Sequence, residues 1–339
     1  MRRLSGGVAH VASIIEEDLY GRKTGLQKPH ITGLSDIVAS VLTCRNVNSS
    51  DWAAILPRRN CETASKERYI RRFISNKMID SVAVMSGFIP EVISMICDNG
   101  KTAVLMMDQS KVSDGFECLM ISLRVGKRAL PAAWKVVKTN GAIGFDVQEP
   151  LLDAVAGMIA DDLTIMLAAD RFYGTSALIN WCEEQGWQYR IRLKGNLIFQ
   201  HDGGEITGSD AANMKIKSLE NAKFNNTDIK TNIGILHESG HKEPWIIAMN
   251  CKPNEYKTLD YGMRWGIECM FSDFKTRGFG ITKTQLKHPE RIERLILILT
   301  VALYWAVSTG MQPDAKSTKS QKKERVRLRH SSRKEYVLY

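Results

Sequence analysis

Two apolar runs in this sequence each lead into an aspartate. Thr102-Ala103-Val104-Leu105-Met106-Met107 precedes Asp108, and Thr164-Ile165-Met166-Leu167-Ala168-Ala169 precedes Asp170. Near-continuous apolar runs of this length read as strands buried on both faces. Open α/β sheets gather functional side chains at strand ends, although aspartates also start turns and cap helices there. Asp114, in a loop after the first run, competes with Asp108 for such a role. A third group lies in Tyr261-Gly262-Met263-Arg264-Trp265-Gly266-Ile267-Glu268, continuing to Lys275. At about 100° per residue, a helix over 259–276 projects Tyr261, Arg264, Glu268 and Lys275 within about 60° of one another, with Ile267, Met270 and Phe274 facing roughly the opposite way. One face would pack and the other would present a phenol, two cations and a carboxylate. A solvated helix with an ordinary Arg–Glu pair four apart gives the same pattern. Taken together, Asp108, Asp170 and Glu268 are oxygen donors of the kind that hard divalent cations prefer.

The elements that must position these groups follow from periodicity. After the first run come strands over 117–125 and 130–137, joined as a hairpin by Gly126-Lys127-Arg128. A helix over 151–160 leads to the second run. A further helix spans 176–185, closing on Gly186, and a strand covers 189–193. Residues 196–258 are Asn/Gly-rich with short alternating runs and read as a β-rich insertion. A buried helix covers about 289–308; its apolar core of 13 residues, Leu295 to Val307, is shorter than the ~20 a membrane span needs. Residues 1–95 read as a small all-α domain in which Ser35 or Asp36 caps a helix, 96–310 as the α/β domain carrying the insertion, and 311–339 as a basic flexible tail. Within the first of these, Tyr69, Ile70, Phe73 and Ile74 share a helix face and leave Arg68, Arg71 and Arg72 off it. That stripe suits phosphates or is simply a solvated basic face.

The net charge of +10 is unevenly placed: residues 1–90 carry +5, residues 315–339 carry +7, and the middle is left at −2. Basic ends around a slightly acidic middle suit a polyanion such as DNA and a carboxylate-lined core. Seven cysteines, scattered and never spaced C-x-x-C, support neither a zinc ribbon nor a disulfide framework, in keeping with a reducing cytoplasm. The basic start leads to Glu16-Glu17-Asp18 and not to an apolar segment, so no secretory signal is read. No G-x-x-x-x-G-K-[ST] loop occurs, which argues against an ATP-driven motor.

The spacing Tyr261-x2-Arg264-x3-Glu268-x6-Lys275 resembles, at all four positions, the signature of bacterial DDE transposases of the insertion-sequence-four type. Asp170-Arg171-Phe172-Tyr173-Gly174 and Met107-Asp108-Gln109-Ser110 resemble that group's second- and first-aspartate regions. The similarity covers about residues 60–305 in the right order. It implies an RNase H-like mixed sheet flanked by helices, with a β-rich insertion and an N-terminal all-α domain. The activity implied is metal-dependent cleavage and strand transfer of DNA, with Asp108, Asp170 and Glu268 holding two Mg2+ or Mn2+ ions that stabilise the attacking and leaving oxygens. Tyr261, Arg264 and Lys275 would hold phosphates near the cut, and Trp245 would stack on an extruded base, although a strand tryptophan is by default a core residue. The implied partners are double-stranded DNA, as element ends with terminal inverted repeats and as target, and a second copy of the chain. Hairpinned ends are part of the analogy. Neither ATP nor a membrane is implied, and the location is the bacterial cytoplasm, at the nucleoid.

Two rival readings stand beside this one. A DNA-binding derivative could keep the fold without cleavage. His237-Glu238-Ser239-Gly240-His241 matches H-E-x-x-H, the zinc-protease motif, which needs a helix to bring both imidazoles to one face. Here it contains Ser-Gly and lies between strand-like runs, so a hairpin loop is the expectation.

Overall fold

Six helices come first: α1 (Arg2–Gly21), α2 (Lys28–Cys44), α3 (Ser49–Ile55), α4 (Thr63–Ser75), α5 (Ser81–Met85) and α6 (Ile89–Ile96). The structure is a computed structural model that describes residues 2–58, 60–97, 102–224, 227–237 and 243–311. In α1, Val8, Ala12, Ile15 and Leu19 recur at helical spacing and are buried, giving the apolar stripe that packs on α2. Neither Ser35 nor Asp36 caps α2. Pro29 sits in the first turn and sets the start of the helix at Lys28, so both residues fall mid-helix and are buried. The Ser35 hydroxyl donates to the Ile31 carbonyl at 2.9 Å, and Asp36 is met by Arg58 at 3.3 Å. On α4 the periodicity gives the packing it implies: Ile70, Phe73 and Ile74 are buried, and Arg68, Arg71 and Arg72 are exposed.

A sheet follows, built from β1 (Ala103–Ser113), β2 (Phe116–Val125), β3 (Arg128–Lys138), β4 (Ile165–Ala169), β5 (Gln188–Arg192), β6 (Ile198–His201), β7 (Gly204–Thr207), β8 (Ser218–Phe224), β9 (Lys230–Leu236) and β10 (Trp245–Met249). Its order is β3-β2-β1-β4-β5-β10-β9-β8-β6-β7. The first three strands are an antiparallel meander, and β4 and β5 then add parallel to β1. Helices α7 (Phe145–Ala156) and α8 (Ser176–Glu184) carry the chain into β4 and β5. This mixed sheet with flanking helices is an RNase H-like α/β fold. The insertion strands β6 to β9 extend the same sheet, through β10, on the far side of β5. Helix α9 (Gly208–Asn213) lies within the insertion.

After β10 come α10 (Glu255–Leu259), a 3-10 turn over Asp260–Arg264, α11 (Trp265–Phe274), a second 3-10 turn over Ile281–Lys283, and α12 (Pro289–Met311). The chain forms one compact unit over Met1–Ala302 and another over Leu303–Tyr339; of the latter, 303–311 is described, as helix. The basic tail therefore lies outside the described residues beyond Met311. Among the described residues no helix is long and apolar enough to cross a membrane. Inside the first unit, Arg294 ties α12 to the N-terminal helices. Its buried guanidinium donates to the carbonyls of Ile74 and Ile79 at 3.1 and 3.3 Å and to that of Glu290 at 2.9 Å. The Ile74 carbonyl belongs to the last turn of α4, where no intrahelical donor remains.

Burial pushes the Asp36 carboxyl up to about 6, with Arg58 pulling against it. The folded state therefore holds this proton more tightly than the unfolded chain does, and stability falls as pH rises from about 4 through 6. Asp36→Asn removes that slope. Its melting temperature relative to the unchanged protein should rise between pH 4.5 and pH 7.5 in paired thermal scans; a difference that is flat or falls with pH would show that Arg58 already compensates the buried charge.

Candidate active site

The parallel pairing of β1 with β4 runs from Ala103↔Ile165 to Met107↔Ala169. Asp108 and Asp170 are each the next residue, so two carboxylates stand side by side where the parallel pairing of β1 with β4 ends. Asp108 does not end its strand, as the apolar run suggested. β1 continues to Ser113 because its antiparallel partner β2 goes on pairing past that point, with Asp108 opposite Met120. Asp114 sits in the β1–β2 turn, its side chain 97% exposed and held by Lys111 at 3.0 Å. It is Asp108, not Asp114, that neighbours Asp170.

The signature segment is not one helix. Asn254 caps α10 by accepting from the Lys257 N–H, the chain tightens into a 3-10 turn through Gly262, and α11 begins only at Trp265. The spacing still brings the side chains together, for a reason specific to each part. In a 3-10 turn residues three apart eclipse, so Arg264 lies over the Tyr261 ring, 5.7 Å from its centroid. In an α-helix residues four apart are neighbours, so Arg264 reaches Glu268 at 2.5 Å. Lys275 ends α11 in a non-helical conformation, and its Nζ donates to Ser110 Oγ at 2.6 Å. Ser110 lies two residues beyond Asp108 on the same face of β1.

Arg264 is 8% exposed and is the electrostatic centre of the site. One guanidinium nitrogen donates to Asp108 Oδ2 at 2.7 Å and another to Glu268 Oε1. Burial alone would favour loss of its proton, but Tyr261 and the three acids outweigh that and hold it firmly cationic. Burial pushes Asp108 up to about 6, against the pull of Arg264 and of the Gln109 N–H; Asp170 and Glu268 add to the rise. The Tyr261 hydroxyl donates to Asp170 Oδ1 at 3.2 Å. Burial lowers the pKa of Lys275, with Glu117 and Asp108 opposing.

By its chemistry this donor set fits a hard divalent cation: it is oxygen-only, and its members come from two strands and a helix. As arranged, the carboxylates are satisfied by Arg264 and Tyr261, and among the described residues no three His, Cys, Asp or Glu side chains are close enough to hold an ion. Arg264 occupies one oxygen each of Asp108 and Glu268.

Trp245 is not an open stacking platform. It is 7% exposed, in a core cluster with Ile247, Met249 and Tyr261, and meets the Tyr261 ring edge-on at 5.2 Å. Alternation along β10 turns Trp245, Ile247 and Met249 to this side, so the indole supports the phenol that touches Asp170. The exposed aromatic here is Trp265, 64% exposed and three residues before Glu268 on α11. Sequence reasoning missed it; its position directly after Arg264 was the available signal. Of the H-E-x-x-H segment, His237 follows β9 in the β9–β10 connection and is exposed, while Glu238 and His241 lie outside the described residues.

These neighbouring acids on an RNase H-like sheet agree with sequence comparison. A family model described as the transposase DDE domain matches residues 146–305. The match supports a DDE transposase; it contains Asp170 and Glu268 and begins after β1, so Asp108 stands on its position beside Asp170. No curated protein matches the chain. Among solved structures, the X-ray structure of Marinitoga piezophila Argonaute in complex with 5' OH guide RNA and target DNA aligns at 11% identity with a TM-score of 0.25. The alignment covers 70% of this chain and 35% of that one, about a third of its length. A score that low carries no argument.

If Trp245 acts through Tyr261, the two substitutions should separate. Trp245→Ala should cost ~3–5 kcal/mol in urea unfolding, as for a large buried aromatic, and Tyr261→Phe, which keeps the ring contact and loses the bond to Asp170, about 1.5–3 kcal/mol. A Trp245→Ala loss under about 1 kcal/mol would place the indole outside the core.

Proposed function

We propose that the chain is the transposase of a DNA insertion sequence, of the insertion-sequence-four type. On this reading it binds the element's terminal inverted repeats and cuts and rejoins strands at the Asp108, Asp170 and Glu268 carboxylates. The observation that carries the reading is the adjacency of Asp108 and Asp170 where β1 and β4 stop pairing, with Glu268 tied to Asp108 through Arg264. The family match over 146–305 supports it.

The three carboxylates would hold Mg2+ or Mn2+, which when bound supplies charge stabilisation to the oxygens exchanged at phosphorus. The chain's own groups do the rest. Arg264 moves from the carboxylates to a phosphate, a bidentate exchange that its planar fork suits. Tyr261 orients Asp170, Lys275 holds a flanking phosphate beside Ser110, and Trp265 offers an exposed face to an unpaired base. Arg68, Arg71 and Arg72 add sequence-independent affinity for the duplex. Each transfer exchanges one phosphodiester for another, so the chemistry needs no ATP. A homodimer on paired element ends, in the bacterial cytoplasm at the nucleoid, completes the proposal.

Asp108→Asn, Asp170→Asn and Glu268→Gln should each abolish Mg2+-dependent cleavage of element-end DNA in a gel assay while end binding stays within a few-fold; Asp114→Asn should cleave normally. Normal cleavage by Asp108→Asn would sink the assignment. A second test reads no activity. Arg264→Met leaves Asp108 and Glu268 without their counter-charge, so millimolar Mn2+ should raise its melting temperature by more than it raises that of the unchanged protein, because binding to the folded state stabilises it. An equal or smaller rise would show that Arg264 does not compete with the cation.

A further inference from the structure

Several cations of the described residues are held by carboxylates. Arg22 lies on Asp18 and Glu91, Arg58 on Asp36, Arg128 on Asp273 and Arg190 on Asp260. One region instead gathers several cations that make no ion pair. A cleft of about 830 Å3 opens between the α2–α3 connection and α4 on one side and residues 275–295 on the other, and Arg45, Arg71, Lys275, Lys283 and Arg291 all line it. None of the five makes an ion pair among the described residues. The one carboxylate in the lining, Asp51, already accepts from the Asn46 amide at 2.7 Å. Cations gathered in one cleft without ion pairs repel one another, an arrangement that favours an anionic occupant.

The cleft's inner end fixes what that anion is. Lys275 lines it and is bonded to Ser110, two residues from Asp108, so an anion leaving the carboxylate site along this surface enters the cleft directly. A volume of this size takes a few nucleotides of one strand, not the girth of a duplex. The aromatic rings in its lining, Trp52 and Phe279, are buried, leaving no platform on which bases would stack, so contact is through phosphates.

We infer that this cleft is a track for a single DNA strand flanking the cut, in which Arg45, Lys283 and Arg291, outside the signature residues, hold its phosphates irrespective of sequence. The inference rests on the transposase reading for the identity of the strand, but its test does not require cleavage.

The variant Arg45→Asn/Lys283→Gln suits the purpose. Arg45 ends α2 with φ 52°, a left-handed conformation that asparagine tolerates, and Lys283 is exposed. Binding is measured in metal-free buffer by fluorescence anisotropy, with a blunt duplex and with the same duplex carrying a short single-stranded extension. The unchanged protein should prefer the extended duplex. The variant should lose that preference, bind the extended duplex roughly tenfold more weakly, and show a slope of log K against log[salt] flatter by about 1.4, two contacts at ~0.7 each on single strands. Adding Arg291→Gln should flatten it further, and Lys215→Glu, outside the cleft, should do neither. Unchanged affinity and slope in the variant would overturn the inference, as would equal losses on both probes, which would mean that a duplex lies there, or displacement of the extended duplex by stoichiometric ATP, which would mean a small-anion pocket. Cleavage by a protein whose cleft variants bind normally removes this inference alone; strand binding by a protein that never cleaves removes the transposase reading and leaves the track.

Discussion

Three carboxylates drawn toward one partly buried place repel each other, and the site exists only because something neutralises them. In this structure that is Arg264. Its guanidinium bridges Asp108 and Glu268, and the Tyr261 hydroxyl takes Asp170. Arg264 in turn is fixed from behind: it lies over Tyr261, Tyr261 is braced by Trp245, and Trp245 stands on β10, which is hydrogen-bonded to β5 and β9. The sheet thus sets where the charges meet, and breaking a buried, partnered charge is costly because the remaining partner stays buried alone. The close approach of α11 to the sheet also needs Gly266, where an added Cβ would meet the Arg128 carbonyl oxygen at 3.2 Å.

A similar logic holds the helical half in place. Arg294 spends its donors on carbonyls that α4 and the segment after it cannot satisfy themselves. That one side chain sets the distance between α4 and α12, and with it the walls of the basic cleft, whose lining includes Ile74 and Leu295. Packing and charge are divided between neighbours on the same helix. Arg294 is consumed in holding the walls, and Arg291, one turn earlier, is left for the cleft.

Much of this was legible in the residue order. The apolar runs before Asp108 and Asp170, the hairpin at Gly126, the helices over 176–185 and 289–308, and the amphipathic face of α4 all rest on local periodicity, which is visible along a chain. Other features depended on partners distant in sequence. Asp108 sits inside its strand because β2 outlasts β4 as a partner. Ser35 and Asp36 fall mid-helix because Pro29 acts first. Trp245 is in the core because Tyr261, 16 residues later, packs on it. The cleft was invisible because Arg45, Arg71, Lys283 and Arg291 are ordinary isolated cations in the sequence, and only folding shows that none has met a carboxylate.

The spacing of Tyr261, Arg264, Glu268 and Lys275 brings these side chains together through more than one backbone geometry. Read as a uniform helix, Tyr-x2-Arg-x3-Glu-x6-Lys gives one face of side chains. Tyr261 to Arg264 instead spans a 3-10 turn, where three residues make a full turn, and Arg264 to Glu268 spans an α turn, where four residues bring neighbours together. Each interval matches the periodicity of the backbone it crosses. The change of helix type falls at Arg264, which must face the phenol behind it and the carboxylate ahead of it at once. A continuous α-helix would leave Tyr261 and Arg264 about 60° apart around the axis, whereas the 3-10 turn brings them into line. Gly262 eases the tightening by bringing no side chain into the turn, and Lys275, two α turns beyond Glu268, lands where the helix ends and its stem can reach across to Ser110. The four residues thus form a sequence of local geometries ordered around one guanidinium, and the guanidinium meets Asp108 as the phenol meets Asp170.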